Sequence, residues 1–381
     1  MSKINIYESF NRLEYKYPNR KDSYIKVTKK KSLLYIVLLP IIILFYILIG
    51  LRNRFVSRSG LISKKALIGK RYYEYVAKSE NIIVVMESIY NINKFFFKKN
   101  VIFFDYEFIN CMISLGLRYE SKFITMILKR IQAKYNIEEL VFFTDYQPLY
   151  KAIINSARSA NIKTMSIQHG IYSGLSPSKY EIDGYFVDRF ITYDEHQRNI
   201  CIEAGLDSRR ISIGGVPDYF RFNTAKALNP TRKVLRICIL GSGYRASGKD
   251  SISERINNKL LDKLNLCKNL EVFYKPHPLE LVSGNIEITN VDANRLVKGS
   301  LENIIGDFDV FVGVGSTALL QASVNQKISI QIMPQENNIR QLNKFCYCYS
   351  FEENDFNWIR KIKDLEVHSI QTSSYEKYLV S

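Results

Sequence analysis

The stretch Val310-Phe-Val-Gly-Val-Gly-Ser-Thr-Ala318 joins a short apolar run directly to the start of a helical pattern. Its β-branched and aromatic residues are typical of a strand buried on both faces of a parallel sheet. The Gly-Ser-Thr that follows predicts a tight turn and a helix that starts near Ser316 and Thr317. A strand that leads straight into a helix is the repeating unit of parallel α/β sheets.

The same alternation extends on both sides of this stretch. In the second half of the chain, strands are predicted at Leu235–Leu240, Leu270–Tyr274, Val310–Val314 and Ile328–Met333, and helices at Ser251–Cys267, Ser300–Gly306 and Thr317–Val324. In the first half, strands are predicted at Ile82–Met86, Val101–Phe104, Leu140–Thr144, Lys163–Ile167, Tyr185–Tyr193 and Ile211–Ile213, and helices at Ser121–Tyr135, Pro148–Ala160 and Glu195–Ala204. Two such halves predict an α/β protein with two Rossmann-like lobes, residues 61–228 and 229–381, and a cleft between them.

An apolar segment precedes both lobes. Leu33–Leu51 contains nineteen residues without a charge, which would form a helix of about 28 Å, enough to cross the hydrocarbon core of a bilayer. Basic residues flank it on both sides, so residues 1–60 are predicted to form a basic N-terminus with a membrane segment at 33–51. Pro40 permits a re-entrant hairpin, and the choice between spanning and re-entrant insertion stays open.

The composition excludes several classes of function. Only four histidines occur and the six cysteines are scattered, a pattern that argues against a metal site and favours reduced thiols in the cytosol. The net charge of +17 is not accompanied by a nucleic-acid-binding signature. An anionic membrane surface and phosphate-bearing substrates account for it better. We therefore expect both lobes on the cytosolic side of the cytoplasmic membrane.

Candidate catalytic residues follow two strands of the first lobe. Gln168-His169-Gly170 comes directly after the strand Lys163–Ile167, where Gly170 allows a tight turn and His169 can face the cleft as a general base. The structural alternative is a histidine that fixes the turn through a backbone hydrogen bond. Asp145 ends the preceding strand. It acts as a base, orients His169 or binds an acceptor hydroxyl, or else it caps the following helix. The sequence does not decide between these roles.

A proline-flanked histidine follows a strand of the second lobe. In Tyr274-Lys-Pro-His-Pro-Leu-Glu280, the prolines restrict the backbone on either side of His277. Lys275 and His277 are predicted to neutralise a diphosphate, and Glu280 to accept hydrogen bonds from a ribose or a base. The structural alternative is a rigid turn alone.

A glycine-rich loop is predicted after the first strand of the same lobe. The backbone amides of Gly241, Ser242 and Gly243 are expected to approach a donor diphosphate. The run from Gly243 to Lys249 also resembles a P-loop, but Asp250 stands where a magnesium-binding Ser or Thr is needed. A true P-loop is therefore not expected.

The third donor-side candidate is the pair Ser316 and Thr317. Backbone N–H groups at a helix N-terminus favour an anion, so these residues are predicted to contact a phosphate. A simple helix cap is the structural alternative, and the two roles are compatible.

The sequences QHG at 168–170, KPHP at 275–278 and GST at 315–317 occur in an order that resembles one group of proteins. They resemble the two-lobed GT-B transferases of bacterial surface polysaccharide synthesis. These include capsule and O-antigen glycosyltransferases and the CDP-glycerol glycerophosphotransferases of teichoic acid synthesis. The resemblance covers Leu140 to Met333. It implies a GT-B fold, a first lobe on the acceptor side and a second lobe that binds the nucleotide donor.

The resemblance also implies roles for individual residues. His169 becomes the candidate base, and His277, Ser316 and Thr317 become ligands of the donor phosphates. Since these side chains and Lys275 can stabilise the leaving group electrostatically, no metal or other cofactor is expected. Gln168 before the His-Gly, and a Gly-Ser-Thr where the glycerophosphotransferases place two serines, depart from that subgroup. These departures favour transfer of a sugar over transfer of a polyol phosphate.

We therefore expect a membrane-associated glycosyltransferase that passes a sugar from a nucleotide-sugar donor to a lipid-linked glycan. One alternative keeps the fold and transfers glycerol or ribitol phosphate from a CDP donor. A second alternative, from a different class, is a non-catalytic membrane-tethered binding protein. No nucleic-acid partner is expected.

Overall fold

The structure is a computed structural model that describes residues 65–68, 83–86, 101–103, 120–143, 145, 148–168, 170–172, 182–222, 234–242, 252–284, 286, 288, 291–335, 346–368, 370–375 and 378. The predicted membrane segment at 33–51, His169 and Gly243 lie outside these residues. Among the helices that the structure describes, none is long and apolar enough to cross a membrane.

Helices and strands alternate in both halves of the described chain. The first half contains β1 (Lys65–Ile68), β2 (Ile83–Met86), β3 (Val101–Phe103), α1 (Glu120–Tyr135), β4 (Glu139–Phe142), α2 (Pro148–Ser159), β5 (Lys163–Ile167), β6 (Arg189–Thr192), α3 (Glu195–Glu203), β7 (Ile211–Ile213) and β8 (Val216–Pro217). The second half contains β9 (Leu235–Leu240), α4 (Ile252–Asn265), β10 (Leu270–Lys275), α5 (Pro278–Ser283), α6 (Leu301–Ile304), β11 (Val310–Gly313), α7 (Thr317–Val324), β12 (Ile328–Met333), β13 (Tyr349–Glu352), α8 (Asn357–Arg360) and β14 (Thr372–Ser373).

The first sheet has the strand order β3-β2-β1-β4-β5-β6-β7, and every strand pair in it is parallel. Apart from the added β7, this is the 3-2-1-4-5-6 order of the dinucleotide-binding Rossmann fold. The chain runs outward from β1 in one direction and then from β4 in the other. The strand order therefore reverses between β1 and β4.

The second sheet has the order β10-β9-β11-β12-β13 and is also entirely parallel. This is the 2-1-3-4-5 order of the other common doubly wound fold. The reversal lies between β9 and β11. The structure thus confirms the prediction of an α/β protein with two parallel sheets.

Apolar helix faces cover each sheet. In the first lobe, Ile124 and Leu128 of α1 lie one helical turn apart and are buried against Leu140 and Phe142 of β4. In the second lobe, Leu260 of α4 is buried in a cluster that includes several strand residues of its sheet. Spacing of apolar residues by three or four positions puts them on one side of each helix.

The two lobes share an apolar cluster. Leu319 and Leu320 of α7 belong to the same buried cluster as Tyr193 and Phe220 of the first lobe. At the C-terminal end of α7, the Asn325 side chain accepts a hydrogen bond from the Phe222 N–H (2.7 Å) and donates one to the Phe220 carbonyl (2.6 Å). Helix α7 is therefore attached to the first lobe by apolar and polar contacts.

The last described residues return to the first lobe. β14 pairs with β8, and Tyr375 is fully buried in a cluster with Leu67 and Ile191 of the first sheet. The Tyr375 hydroxyl donates a hydrogen bond to the Gly215 carbonyl (2.6 Å). A Cβ at Gly214 would lie 2.5 Å from Cγ2 of Ile191, so a glycine is needed for this close packing.

The predicted elements differ from the structure in a few places. β1 was not predicted, although it lies inside the first sheet, between β2 and β4. The predicted strand Tyr185–Tyr193 was too long, since β6 begins at Arg189. Before β6, Gly184 has a φ of +88°, which is outside the strand region. The Thr164 N–H donates its hydrogen bond to the Asp188 side chain and not to a strand backbone. The predicted division after residue 228 falls in 223–233, outside the described residues.

Candidate active site

The reversal of strand order in the second sheet marks a place where ligands bind. In open α/β sheets, ligands bind beyond the carboxyl ends of the strands, at the point where the order reverses. Here Gly241 and Ser242 follow β9, and Gly315, Ser316 and Thr317 follow β11. The two loops are neighbours because β9 pairs directly with β11.

The turn after β11 forms the N-terminus of α7 and also contacts the first lobe. Ser316 is the N-cap residue, and its hydroxyl accepts a hydrogen bond from the Ala318 N–H at 3.3 Å. The Thr317 hydroxyl accepts one from the Ile171 N–H at 3.2 Å. A Cβ at Gly170 would lie 3.1 Å from this hydroxyl oxygen. The structure therefore brings the predicted QHG turn and GST turn together across the two lobes.

His169 lies outside the described residues, but the residues around it form a defined turn. Gln168 is fully buried at the end of β5. Its side-chain amide donates hydrogen bonds to the Gly170 carbonyl and to Oε1 of Gln197, both at 2.6 Å. Its Oε1 accepts one from the Tyr193 N–H at 3.0 Å. Gln168 thus connects the turn to the strand β6 next to it.

Gln197 supports the same turn from α3. Its Oε1 accepts a second hydrogen bond, from the Tyr172 N–H at 2.8 Å, and its own backbone N–H donates to the N-cap Asp194. Gln197 is buried although it lies in the polar first turn of its helix, before the buried Ile200 and Cys201. Sequence reasoning assigned no role to either glutamine. The burial of Gln197 becomes evident only when α3 is placed against the sheet.

The KPHP turn is held by the start of α5. Pro278 occupies the first helical position, where its missing N–H is not needed. Three residues after His277, the buried Glu280 carboxylate accepts a hydrogen bond from the His277 N–H at 2.9 Å. This is the carboxylate half of a capping box. The other Glu280 oxygen accepts a hydrogen bond from the Tyr274 hydroxyl at 2.8 Å.

Gly241 makes room for this arrangement. A Cβ at Gly241 would lie 2.1 Å from Oε1 of Glu280, 2.6 Å from the Tyr274 hydroxyl and 2.9 Å from the His277 N. A side chain of any size would therefore displace the capping carboxylate. In addition, the Gly241 N–H donates to the Lys275 carbonyl at 2.9 Å, which joins the two loops along their backbones.

Lys275 places a cation close to the same loops. It is partly buried, and this burial lowers the pKa of its ammonium group, while Cys238 and Glu280 raise it in part. Burial also raises the pKa of the neighbouring Cys238 thiol to about 12, so this thiol stays neutral near pH 7. A cation that has lost part of its hydration gains more from an anionic ligand than an exposed one does.

The other predicted residues have partners within the protein. One carboxylate oxygen of the fully buried Asp145 accepts a hydrogen bond from the Phe186 N–H at 2.7 Å. The Ser242 hydroxyl forms a 2.7 Å hydrogen bond with that of Ser253 in α4. These contacts fix local structure, as do those of Glu280, and the predicted roles of all three residues toward a substrate stay predictions. Within the described chain, no group of three or more His, Cys, Asp or Glu side chains is arranged to hold a metal ion.

No protein-family model and no curated protein matches the sequence. Among solved structures, the chain is similar to a glycosyltransferase from Rickettsia africae, with 13% identity, a TM-score of 0.49 and coverage of 79% of this chain and 87% of the other. It is also similar to a UDP-N-acetylglucosamine 2-epimerase from Rickettsia bellii, with 13% identity, a TM-score of 0.48 and coverage of 82% and 89%. HepE from Anabaena, crystallised with UDP and glucose, gives 10% identity, a TM-score of 0.48 and coverage of 79% and 89%. Similarity at this level assigns neither a reaction nor a substrate. The function has to be inferred from the residues at the carboxyl edges of the two sheets.

Proposed function

We propose that the chain is a GT-B-type glycosyltransferase that transfers a sugar from a nucleotide-sugar donor. One observation carries the proposal. The hydrogen bond from the Ile171 N–H to the Thr317 hydroxyl brings the turn that contains His169 to the donor-side turn of the second sheet. The lobes thus face each other at the point of the second sheet where a ligand is expected.

The second lobe supplies groups suited to a leaving diphosphate. Lys275 is a partly desolvated cation, and the N-terminus of α7 presents backbone N–H groups beside Ser316. His277 stands on a turn whose backbone is fixed by Glu280. Groups that are already oriented toward a developing negative charge stabilise it without further reorganisation.

In the proposed reaction, an acceptor hydroxyl attacks the anomeric carbon of the donor sugar. A bond forms between this carbon and the acceptor oxygen, and the bond to the phosphate oxygen breaks. His169 takes the hydroxyl proton, and Lys275, His277 and the start of α7 stabilise the departing nucleotide diphosphate. Charge stabilisation by these groups is proposed to replace a metal ion.

The acceptor is proposed to be a lipid-linked glycan used in the synthesis of a surface polysaccharide. The proposal is supported by the resemblance described above and by the uncharged segment Leu33–Leu51 with its basic flanks. A membrane-inserted segment would keep the lobes close to a lipid-linked acceptor at the inner face of the cytoplasmic membrane.

A thermal-shift screen with CMP, CDP, UDP, GDP and dTDP tests the donor side. A nucleotide that binds the folded state raises the melting temperature by mass action, and one of the diphosphates is expected to do so. The matching nucleotide sugars, and labelled CDP-glycerol and CDP-ribitol, are then offered with a lipid-linked acceptor. Transfer from CDP-glycerol or CDP-ribitol alone would assign the polyol-phosphate reaction in place of sugar transfer.

Two histidine variants separate binding from chemistry. His277→Ala is expected to weaken the nucleotide-induced shift. His169→Ala is expected to keep that shift and lower transfer by about 10²–10⁴-fold, the usual contribution of a general base. His196→Ala, at an exposed position of α3, is the matched control. Unchanged transfer in both site variants would refute the proposed roles of the two histidines. Absence of transfer by the wild type from every donor tested would favour a non-catalytic binding protein.

A further inference from the structure

A basic groove runs along the exposed side of α1, and none of its described lining residues belongs to the candidate active site. It has a volume of about 700 Å³ and is lined by Lys122, Thr125, Met126, Lys129, Arg130, Ala133 and Ser159. Six of these residues recur at intervals of three and four along α1, so they form one stripe on the helix. The stripe extends for about 16 Å at the rise of an α-helix.

The described residues that line this groove carry charge of one sign. Lys122, Lys129 and Arg130 are exposed and positive, and none of the described lining residues is acidic. The sequence of α1 contains one acidic residue, Glu120, at its first position. Helix α4 of the second lobe differs, since its sequence mixes Glu254 and Asp262 with basic residues. The ligand of the groove is therefore expected to be anionic.

The groove also contains an exposed apolar side chain. Met126 is 42% exposed and lies between Lys122 and Lys129 on the stripe. The opposite side of the helix is buried through Ile124 and Leu128, so the side chain of Met126 does not contribute to that core cluster. A long apolar side chain among cations is typical of helices that lie in the interface of an anionic membrane.

We propose that this basic groove is a membrane-docking surface that binds the headgroups of anionic phospholipids. In this arrangement the cations contact lipid phosphates, and Met126 enters the boundary between headgroups and acyl chains. The net charge of +17 and the uncharged segment Leu33–Leu51 in the same chain favour a membrane over a nucleic acid as the anionic partner.

Docking through α1 would also orient the first lobe. α1 ends at Tyr135 and β4 begins at Glu139, so the N-terminus of α1, with Lys122, lies toward the carboxyl edge of the first sheet. That edge carries the turn around residue 169. A membrane bound along α1 is therefore next to the edge where a lipid-linked acceptor is needed; this consequence, unlike the docking itself, rests on the proposed function.

Lysine labelling in the full-length chain tests the surface whether or not the N-terminal segment is inserted. The protein is reconstituted in phosphatidylcholine vesicles with or without phosphatidylglycerol and treated with an uncharged amine-reactive reagent. Labelling of Lys122 and Lys129, read by mass spectrometry, is expected to slow several-fold in the anionic vesicles and to recover at high salt. Lys263 and Lys268, exposed residues in and after α4, are expected to react at the same rate in both. Equal rates for all four lysines would overturn the proposal.

Matched charge variants provide the second test. Lys122→Gln/Lys129→Gln/Arg130→Gln is compared with Lys263→Gln/Lys268→Gln/Lys298→Gln, which removes the same charge from exposed sites of the second lobe. Salt-dependent flotation with anionic vesicles should fall by about fivefold for each cation lost from the groove, and less in the control.

Two outcomes of this comparison would contradict the proposal. Equal losses in the two variants would show an effect of net charge alone. Loss of binding to duplex RNA with unchanged binding to vesicles would identify a nucleic-acid surface instead. The nucleotide-induced thermal shift is expected to be unchanged in both variants, so failure of membrane docking can be distinguished from failure of the proposed transferase function.

Discussion

Two turns of the candidate site, one in each lobe, are held in place by different chemistry. In the first lobe, the turn after β5 is supported by the neutral amides of Gln168 and Gln197. In the second lobe, the turn after β10 is supported by the carboxylate of Glu280, with the cation Lys275 close by. Neutral amides around the first turn suit a histidine that has to accept a proton. Charged groups around the second turn suit residues that bind phosphate.

The largest effect on stability is expected when the Glu280 carboxylate, which supports the turn after β10, is removed. Glu280→Ala leaves the His277 N–H and the Tyr274 hydroxyl without their buried acceptor, at a cost of about 1–3 kcal/mol for each orphaned donor. Urea unfolding measures the stability, and nucleotide titration measures the effect on the donor site. Glu280→Gln keeps an acceptor and should lose much less. Similar losses in both variants would show that the charge of Glu280, rather than the hydrogen bonds, supports the turn.

A steric test examines the same turn from β9. Gly241→Ala places a methyl group 2.1 Å from Oε1 of Glu280, so an overpacking cost of about 1–3 kcal/mol and weaker nucleotide binding are expected. Gly205→Ala is the control, because an added Cβ there meets nothing within 4 Å; it should lose about 1 kcal/mol through its positive φ and leave nucleotide binding unchanged. Normal nucleotide affinity in Gly241→Ala would show that Gly241 is not part of the donor site.

The neutral support of the first lobe is tested by a double-mutant cycle on Gln168→Ala and Gln197→Ala. The side chains hydrogen-bond each other at 2.6 Å and hold three adjoining backbone segments. A coupling of about 0.5–3 kcal/mol is expected from stability measurements, as for residues of one hydrogen-bond network. Transfer should fall in each single variant while the nucleotide-induced shift stays unchanged. Additive losses of stability would mean that the two amides act independently.

The contact between the turn after β5 and the turn after β11 is expected to have a smaller effect. Thr317→Val removes the acceptor of the Ile171 N–H and should lower kcat/KM for transfer by about fivefold, the equivalent of one neutral hydrogen bond. Thr317→Ser keeps the hydroxyl and should retain activity close to that of the wild type. If the serine variant is as impaired as the valine variant, the methyl group of Thr317, rather than its hydroxyl, is what the loop requires.

The smallest expected effect concerns pH. The pKa of Lys275 is lowered in the folded protein, so between that value and the ordinary 10.5 the unfolded chain binds more protons than the native chain. Stability contributed by this residue therefore rises with pH in that window. Urea unfolding of the wild type and of Lys275→Met, compared from about pH 8 upward, should show the wild type gaining relative to the variant. Lys268→Met, at an exposed position, should give a constant difference.

Much of the fold could be predicted from local patterns. β5, β7, β9 and β12 were predicted with their observed bounds, because β-branched residues in short apolar runs describe buried strands well. β1 was missed because Lys65-Ala-Leu-Ile68 is too short to form a pattern alone. It becomes a strand through its pairing with β2 and β4 on either side.

The candidate site was predicted less completely than the fold. The sequence located the QHG, KPHP and GST turns at strand ends, since ligand-binding loops of parallel sheets follow the carboxyl ends of buried strands. It did not reveal what holds them. Glu280 was expected to contact a ligand, and the structure shows two partners within its own lobe. The burial of Gln197 depends on the placement of α3, which no local pattern encodes.

The position of Tyr375 has a consequence for the order in which the chain can fold. Its ring belongs to the core of the first lobe, and β14 pairs with β8 just before it. On the ribosome, all strands of the first sheet emerge well before this residue is made. The first lobe therefore cannot complete its core during synthesis until the entire second sheet has followed, and both lobes mature together instead of one after the other.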